Sequence, residues 1–334
     1  MRIALDAMGS DTCPVPDVGG AVLAAGEYGY HIYLVGNELQ IKAELQKYDR
    51  ATLPLEVVHA EQVILPTDKP GTVGKSKVGS SMHVGMKLVR DGKADAFVTM
   101  GNTGAAHAIA TLFTLKRIPG VKRPALSGIY PVAGQHVVML DLGANADSKP
   151  EWLVQFGLMG TVYARNALGL HNPRIGLLSN GEEEGKGNQL IRNTDALFRQ
   201  LSLNYVGNVE PKDVVRGAAD IIVADGFLGN IFVKTFEASV SLLANTIREE
   251  IKADPVSMIG GLLLKPTFQR VRKRTDTFEV GGAPLLGVNG VVIIGHGRSN
   301  AVAVKNAIRQ AARAVEGDVI NAIRIGLQEI QQVR

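Results

Sequence analysis

The sequence predicts an α/β fold, a mostly parallel sheet with helices on both faces. Three features predict it: short apolar or alternating runs recur along the chain, they end in Gly or Asp, and helix-period segments separate them. The runs place strands at Arg2 to Ala7, His31 to Gly36, Leu55 to Ala60, Ala96 to Met100, Val137 to Leu142, Arg174 to Leu178, Ile221 to Ala224 and Val291 to Ile294. Two helices carry a clear period. Val233, Phe236, Val240, Leu243, Ile247 and Ile251 recur at steps of three and four, which lays one apolar stripe along a helix that stops before Asp254-Pro255. A second helix starts at the capping residues Ser299 and Asn300 and runs through Val304, Ile308, Ala311, Val315 and Val319 to close the fold. With no repeat, low-complexity tract or Gly/Ser linker, residues 1–334 read as a single α/β domain with a helical insertion at about 254–276.

Composition bounds the function. A chain that is 46% hydrophobic and 20% charged is globular throughout. The single Cys13 cannot form an internal disulfide, fits a reducing compartment and reads as a small, partly buried residue. Ile3-Ala4-Leu5 is too short for a secretory signal, and no later run approaches the ~18 apolar residues of a spanning helix, so a cytoplasmic protein is expected. The net charge of +4 is local: Lys265, Arg270, Arg272, Lys273 and Arg274 share one stretch with no acid between them, and the remainder is close to neutral. That distribution argues against a nucleic-acid binder.

Ligands of open α/β sheets bind outside the carboxyl ends of the strands. Gly makes up 38 of 334 residues, against a usual ~7%, and the excess clusters at those ends. Gly101-Asn102-Thr103-Gly104 leads from a strand into a helix, where free N–H groups and the helix dipole hold anions. Gly295-His296-Gly297-Arg298-Ser299-Asn300 is a similar turn with a cation. Three more strand ends mix carboxylates with amides: Asp141 to Asn145 with Lys149, Asn180 to Asn188 with Lys186, and Asp225 to Asn230. The first strand adds Asp6 and Gly9, with Asp6 also suited to pinning the next turn. Together these loops predict one polar cleft. Glu182 to Glu184 read mostly as a solvated loop, and Lys186 as a phosphate point charge or an exposed lysine. Of seven histidines only His296 lies in a Gly-rich strand-end turn, as a general base or a hydrogen-bonded structural residue. A Gly-x-Ser-x-Gly elbow, a Walker loop, zinc spacing and a dinucleotide fingerprint are all missing, which disfavours those chemistries.

Taken in order, Asp6-Ala-Met-Gly-Ser-Asp11, Gly101-Asn-Thr-Gly-Ala105, Arg123-Pro-Ala-Leu126, Asp141-Leu-Gly-Ala-Asn145 with Lys149-Pro-Glu151, Asp225-Gly-Phe-Leu-Gly-Asn230 and Gly281-Gly-Ala-Pro284 resemble the PlsX family over nearly the whole chain. Ser10 and Thr12-Cys13 depart mildly from its pattern. The resemblance implies a three-layer α/β/α fold like that of isocitrate and isopropylmalate dehydrogenases and phosphotransacetylases, a homodimer, and no redox cofactor or metal. It implies formation of acyl phosphate from an acyl carrier protein thioester and inorganic phosphate, for use by a membrane glycerol-3-phosphate acyltransferase. On this reading His296, Asp225, Lys186, Asn230 and Asn145 are the catalytic candidates. Asp6, Gly9, Gly101, Asn102, Thr103, Gly104, Asp141, Lys149, Asn180, Asn188, Ser299 and Asn300 are the substrate and phosphate candidates. Ile259, Leu262, Leu263 and Leu264 suit docking onto an anionic bilayer at the inner face of the plasma membrane, or a dimer core. Arg270, Arg272, Lys273 and Arg274, or Arg117, Lys122 and Arg123, suit the acidic carrier protein, with Arg123 also a candidate for a structural ion pair. The rivals are a fold-related metal-dependent hydroxyacid dehydrogenase, a phosphotransacetylase, or a non-catalytic membrane-surface scaffold.

Overall fold

Side chains alternate across a strand, and here that alternation sorts the apolar residues into one continuous core and two separate ones. The computed structural model describes residues 1–49, 52–132, 134–275 and 281–332, with 272–275 and 331–332 as backbone only. Its strands are β1 (Arg2–Asp6), β2 (His31–Gly36), β3 (Leu55–His59), β4 (Ala96–Thr99), β5 (Ala125–Val132), β6 (Gln135–Leu140), β7 (Ile175–Leu178), β8 (Tyr205–Val209), β9 (Ile221–Val223), β10 (Ala283–Leu286) and β11 (Val291–Ile294). They form one sheet in the order β3-β2-β1-β4-β11-β10-β5-β6-β9-β7-β8. Ile3 and Leu5, Val138 and Leu140, and Ile293 all point into the same continuous core. On the opposite face Ala4, Phe97 and Ile294 build a second core, and Val137, Met139 and Ile222 a third.

The expected α/β class is observed, with two parallel halves rather than one. Pairing is parallel from β3 to β11, antiparallel at β11–β10, β10–β5 and β5–β6, and parallel again to β8. Three reversals in succession leave β6 to β9 antiparallel to β1 to β4, so the sheet has carboxyl ends at both edges.

The continuous core is covered by α1 (Val15–Tyr28), α6 (Pro150–Asn166), α7 (Gln189–Phe198), α11 (Ala301–Glu316) and α12 (Val319–Gln332). Phe156, Tyr163 and Phe198 are fully buried there, each contributing roughly 1.5–3 kcal/mol of apolar transfer. The other helices are α2 (Glu38–Leu45), α3 (Pro70–Ser76), α4 (Ser81–Arg90), α5 (Thr103–Ala108, continued by a π turn Ile109–Phe113), α8 (Pro211–Val214), α9 (Gly226–Lys252) and α10 (Pro255–Thr275). On the divided face α4 and α5 cover the first half and α9 the second, leaving a gap over β10 and β5.

Two of the expected strands, at His31–Gly36 and Val291–Ile294, have the expected bounds, and the other six shift by one or two residues. β5, β8 and β10 were not expected, because Gly128, Pro131 and Pro284 interrupt their pattern and β8 is an edge strand. The single closing helix is two: Gly317 and Asp318, the latter at φ 46, break it before Val319. The segment read as a helical insertion at about 254–276 holds α10, and α9 leads into it largely exposed, with Gly226, Gly229 and Val233 as its buried residues. By length and composition alone α9 also passes as a membrane-crossing helix, although Lys234 and Glu237 interrupt its apolar run.

α9 begins where two glycines let it press on the neighbouring strand end. A Cβ on Gly229 would stand 2.0 Å from the carbonyl oxygen of Asp141, a backbone atom that cannot swing aside. Gly229→Ala is therefore expected to lower unfolding stability by roughly 1–3 kcal/mol in urea titration.

Candidate active site

The gap on the divided face is a cleft of about 300 Å³. β5 gives it Leu126, Gly128 and Tyr130, three of the four positions of that strand that face the same way, and Gly128 lets the Leu142 and Tyr130 side chains close in on the floor. One wall is the end of β11 with Gly295 and His296, together with Thr103 at the start of α5. The other wall is α9, which presents Asn230, Lys234 and Glu237 at helical spacing.

The capping chemistry of α9 aims that wall. Asp225 Oδ1 accepts the N–H groups of Phe227 (3.0 Å) and Leu228 (2.9 Å). Gly226 lies against the carbonyl of Asn145, as Gly229 does against that of Asp141. Lys234 reaches Glu237 at 3.5 Å at the cleft mouth. Burial pushes the Tyr130 hydroxyl well above its ordinary range, with Glu237 adding to the shift, so it remains a donor. His296 is held below its ordinary value mainly by desolvation, against the opposing pull of Glu237, and with Arg298 and Lys234 also lowering it. Its imidazole is neutral at pH 7 and can take a proton.

Of the candidate site side chains singled out from sequence, the cleft brings together Thr103, Asn230 and His296, with Gly295 of the last turn and Gly281 and Gly282 of a further motif beside them. The other candidates lie elsewhere. Asp6 is buried and accepts hydrogen bonds from Thr99 Oγ1 (2.7 Å) and Met8 N (3.1 Å). Gly9 packs on the backbone of Met100 and Gly101, and Asp11 N donates to Gly297 O at 2.8 Å, so the first loop braces both Gly-rich turns. Asn102 caps α5 through Ala105 N, and its amide donates to the carbonyls of Leu65, Pro66 and Asp68, which occupies both ends of the side chain. Gly104 packs on Pro70. Asn300 caps α11 at Ala303 N, and Ser299 is buried beside it.

At the opposite edge, Asp141 accepts from Leu126 N, Ala144 N, Asn145 N and Asn145 Nδ2, and Asn145 Nδ2 also donates to Pro124 O. This knot ties the β6 end to the start of β5. Lys149 stands at the N-cap of α6 with its ammonium 6.0 Å from the Trp152 ring, and Arg123 stacks on the same ring at 4.9 Å. Asn180 and Asn188 line a different hollow on the far flank of α9, where Asn188 caps α7 at Ile191 N. Lys186 packs its stem near Gly181 and is not part of the cleft wall.

Ile259, Leu262, Leu263 and Leu264 are exposed on α10 together with Leu242 and Leu243 on α9. Arg270 is exposed on α10 and donates to Thr267, while the side chains of Arg272, Lys273 and Arg274 lie outside the described residues. Among the described residues, the one trio of acids close enough to share a cation is Glu182, Glu210 and Asp213. It lies outside the cleft and already holds Lys212, at 3.0 Å from Glu182 and 2.7 Å from Glu210.

Sequence reasoning missed Lys234, Glu237, Tyr130 and Gly128. The signal for the first two was present: counted from Asn230 they fall at i+4 and i+7, on the flank beside the apolar stripe.

Over residues 1–322 the chain matches the family model described as fatty acid synthesis protein. The chain belongs to that family. Its relatives include the phosphate acyltransferase of Dictyoglomus turgidum, 47% identical over 332 residues that cover 99% of this chain and 98% of the relative. The phosphate acyltransferase of Desulforudis audaxviator is 46% identical with the same coverage. Among solved structures, the EutD phosphotransacetylase from Staphylococcus aureus aligns with a TM-score of 0.58 at 15% identity over 94% of both chains. A phosphotransacetylase from Streptococcus pyogenes aligns equally well, at 17% identity over 95% of this chain and 94% of the other. At that identity the likeness speaks for the fold, a family architecture of helices on both sides of a mostly parallel sheet.

The braced first loop makes a testable demand on stability. Ser10 Oγ donates to Asp17, whose other oxygen is buried with no partner, and burial followed by the nearby Asp6 holds the Asp17 carboxyl well above its ordinary value. Below the unfolded value of ~3.9 both states keep the proton. As pH rises toward the folded value only the unfolded state releases it, so the wild type loses about 1.4 kcal/mol per pH unit from this group. Asp17→Asn removes that slope, and its urea midpoint relative to wild type should climb from pH 4 to pH 7.

Proposed function

We infer that this chain is a phosphate acyltransferase that makes acyl phosphate from a fatty acyl carrier protein thioester and inorganic phosphate. The observation that carries the reading is the meeting of Lys234, Asn230, Thr103 and neutral His296 around one cleft. Relatives of this length and identity that bear the name phosphate acyltransferase support it.

A phosphate oxygen attacks the thioester carbonyl carbon, the carbon–sulfur bond breaks, and the carrier thiolate leaves and takes up a proton. Phosphate is itself the nucleophile, so the chain supplies position and charge. Lys234 and the Thr103 hydroxyl hold the phosphate at the cleft mouth. The Asn230 amide and the Tyr130 hydroxyl donate to the oxyanion that forms on the carbonyl. His296 takes the phosphate proton. In this assignment Asp225, Asp141 and Asn145 aim α9 from outside the cleft, and Asp6, Gly9 and Asn102 brace the turns that present Thr103 and His296.

The acidic carrier protein docks, on this reading, where Arg117, Lys122 and Arg123 gather with Lys149 around Trp152. The exposed apolar residues of the α9–α10 pair form a contact with a second copy or with an anionic membrane at its cytoplasmic face. Such a place delivers a labile acyl phosphate to a membrane glycerol-3-phosphate acyltransferase.

The direct test mixes purified protein, carrier thioester and phosphate. Acyl phosphate and free carrier thiol are expected in equal amounts, and no acyl phosphate would sink the reading. Lys234→Ala is expected to raise the KM for phosphate about tenfold, the ~1.4 kcal/mol of a charge-assisted contact, with the thioester KM little changed. For His296, the acid limb of the wild-type kcat profile should lie below the ordinary histidine value of 6.5. His296→Asn should lower kcat by about 10²-fold and erase that limb.

A further inference from the structure

The cleft has no room for a long acyl chain beside phosphate, yet an apolar path leaves it. Tyr130 and Val233 belong to the cleft wall and also to a small void of about 10 Å³ between α9 and the sheet. Met139 forms part of that void's floor, and Val215, Phe232 and Phe236 close its other end. The same three residues line a groove of about 750 Å³ on the far flank of α9, with Leu178, Ile191 and Leu228 as further apolar wall. Cleft, void and groove are therefore neighbours in one line beneath a single helix, a seam closed by the side chains they share. A void this small and this apolar stays dry, and Phe232 and Phe236 stack across its groove end at 6.5 Å between centroids. α9 is poorly fastened above it, since Val233 is the one side chain of that helix larger than glycine that is buried.

We propose that the fatty acyl chain of the thioester leaves the cleft beneath α9 and comes to rest in the groove on the helix's far side. The inference rests on the phosphate acyltransferase reading and adds to it the place where chain length is measured. The occupant follows from shape and chemistry. The void abuts the cleft where the carbonyl reacts and is lined by apolar side chains and Tyr130, and the groove beyond it is mainly apolar, with Ser179, Asn180, Asn188, Lys212, Thr235 and Ser239 as its polar lining. A linear hydrocarbon is the ligand that fits a narrow apolar passage opening into a wider apolar groove, and each methylene laid there leaves water. Opening the passage requires the stacked Phe pair to turn and the second and third turns of α9 to lift, while the Asp225 cap keeps the first turn in place.

The test compares kcat/KM for sixteen-carbon and eight-carbon carrier thioesters with phosphate. Val215→Trp, at the narrow point, should lower the ratio of long to short at least tenfold, about 1.4 kcal/mol. Phe236→Ala, which widens the same point, should raise it, a change of sign that misfolding does not produce. Leu39→Trp, exposed on α2, should leave the ratio at the wild-type value. A thioester bearing a diazirine at the chain end should label α7 or α8 on irradiation, and labelling confined to α5 would overturn the path. So would ratios that stay at the wild-type value in both seam variants while the eight-carbon substrate still turns over. If those variants instead shift the sedimentation of the protein with the ratio intact, the groove seats a second copy and the proposal fails. A wild type that makes no acyl phosphate from either thioester would remove the functional reading itself, a result seen before any variant is made.

Discussion

Everything in this structure depends on three antiparallel pairings placed side by side in the middle of the sheet. β11 to β10, β10 to β5 and β5 to β6 each reverse direction, and an odd number of reversals turns the second half of the sheet against the first. Helices that follow strands of opposite direction approach the shared face from opposite edges. They cover it in two patches rather than one. The other face has no such break and carries the large core that ties the halves into one body.

That reversal explains how much of the site could be read from sequence. The positions of most strands follow from short apolar runs, because burial on both faces leaves a plain hydrophobic signature. Direction leaves no signature in those runs, so strand ends that lie at opposite edges look equivalent. Asp141 and Asn145 have the composition of a ligand loop, and the structure uses them to knot the end of β6 to the start of β5. Asn102 looks like a phosphate donor and caps α5, whereas Asn300, expected both as a helix cap and as a phosphate candidate, caps α11. In each case the side chain bonds the chain's own backbone. Lys234 escaped notice for the converse reason: a lysine inside a long amphipathic helix looks solvated until the helix is seen to border a cleft.

α9 joins the parts of the molecule that differ most. Its first turn is anchored by a cap and two glycines, its next two turns border the cleft on one flank and the groove on the other, and its outer half carries exposed apolar residues away from the sheet.

Gly128 matters for what it lets its neighbours do. A Cβ there would stand 2.5 Å from Leu142 and 2.8 Å from the Tyr130 ring, and both of those side chains line the cleft. Any larger residue at 128 would push two lining side chains outward at once. The outline of the hollow is thus drawn by a hydrogen atom where every other amino acid would place carbon.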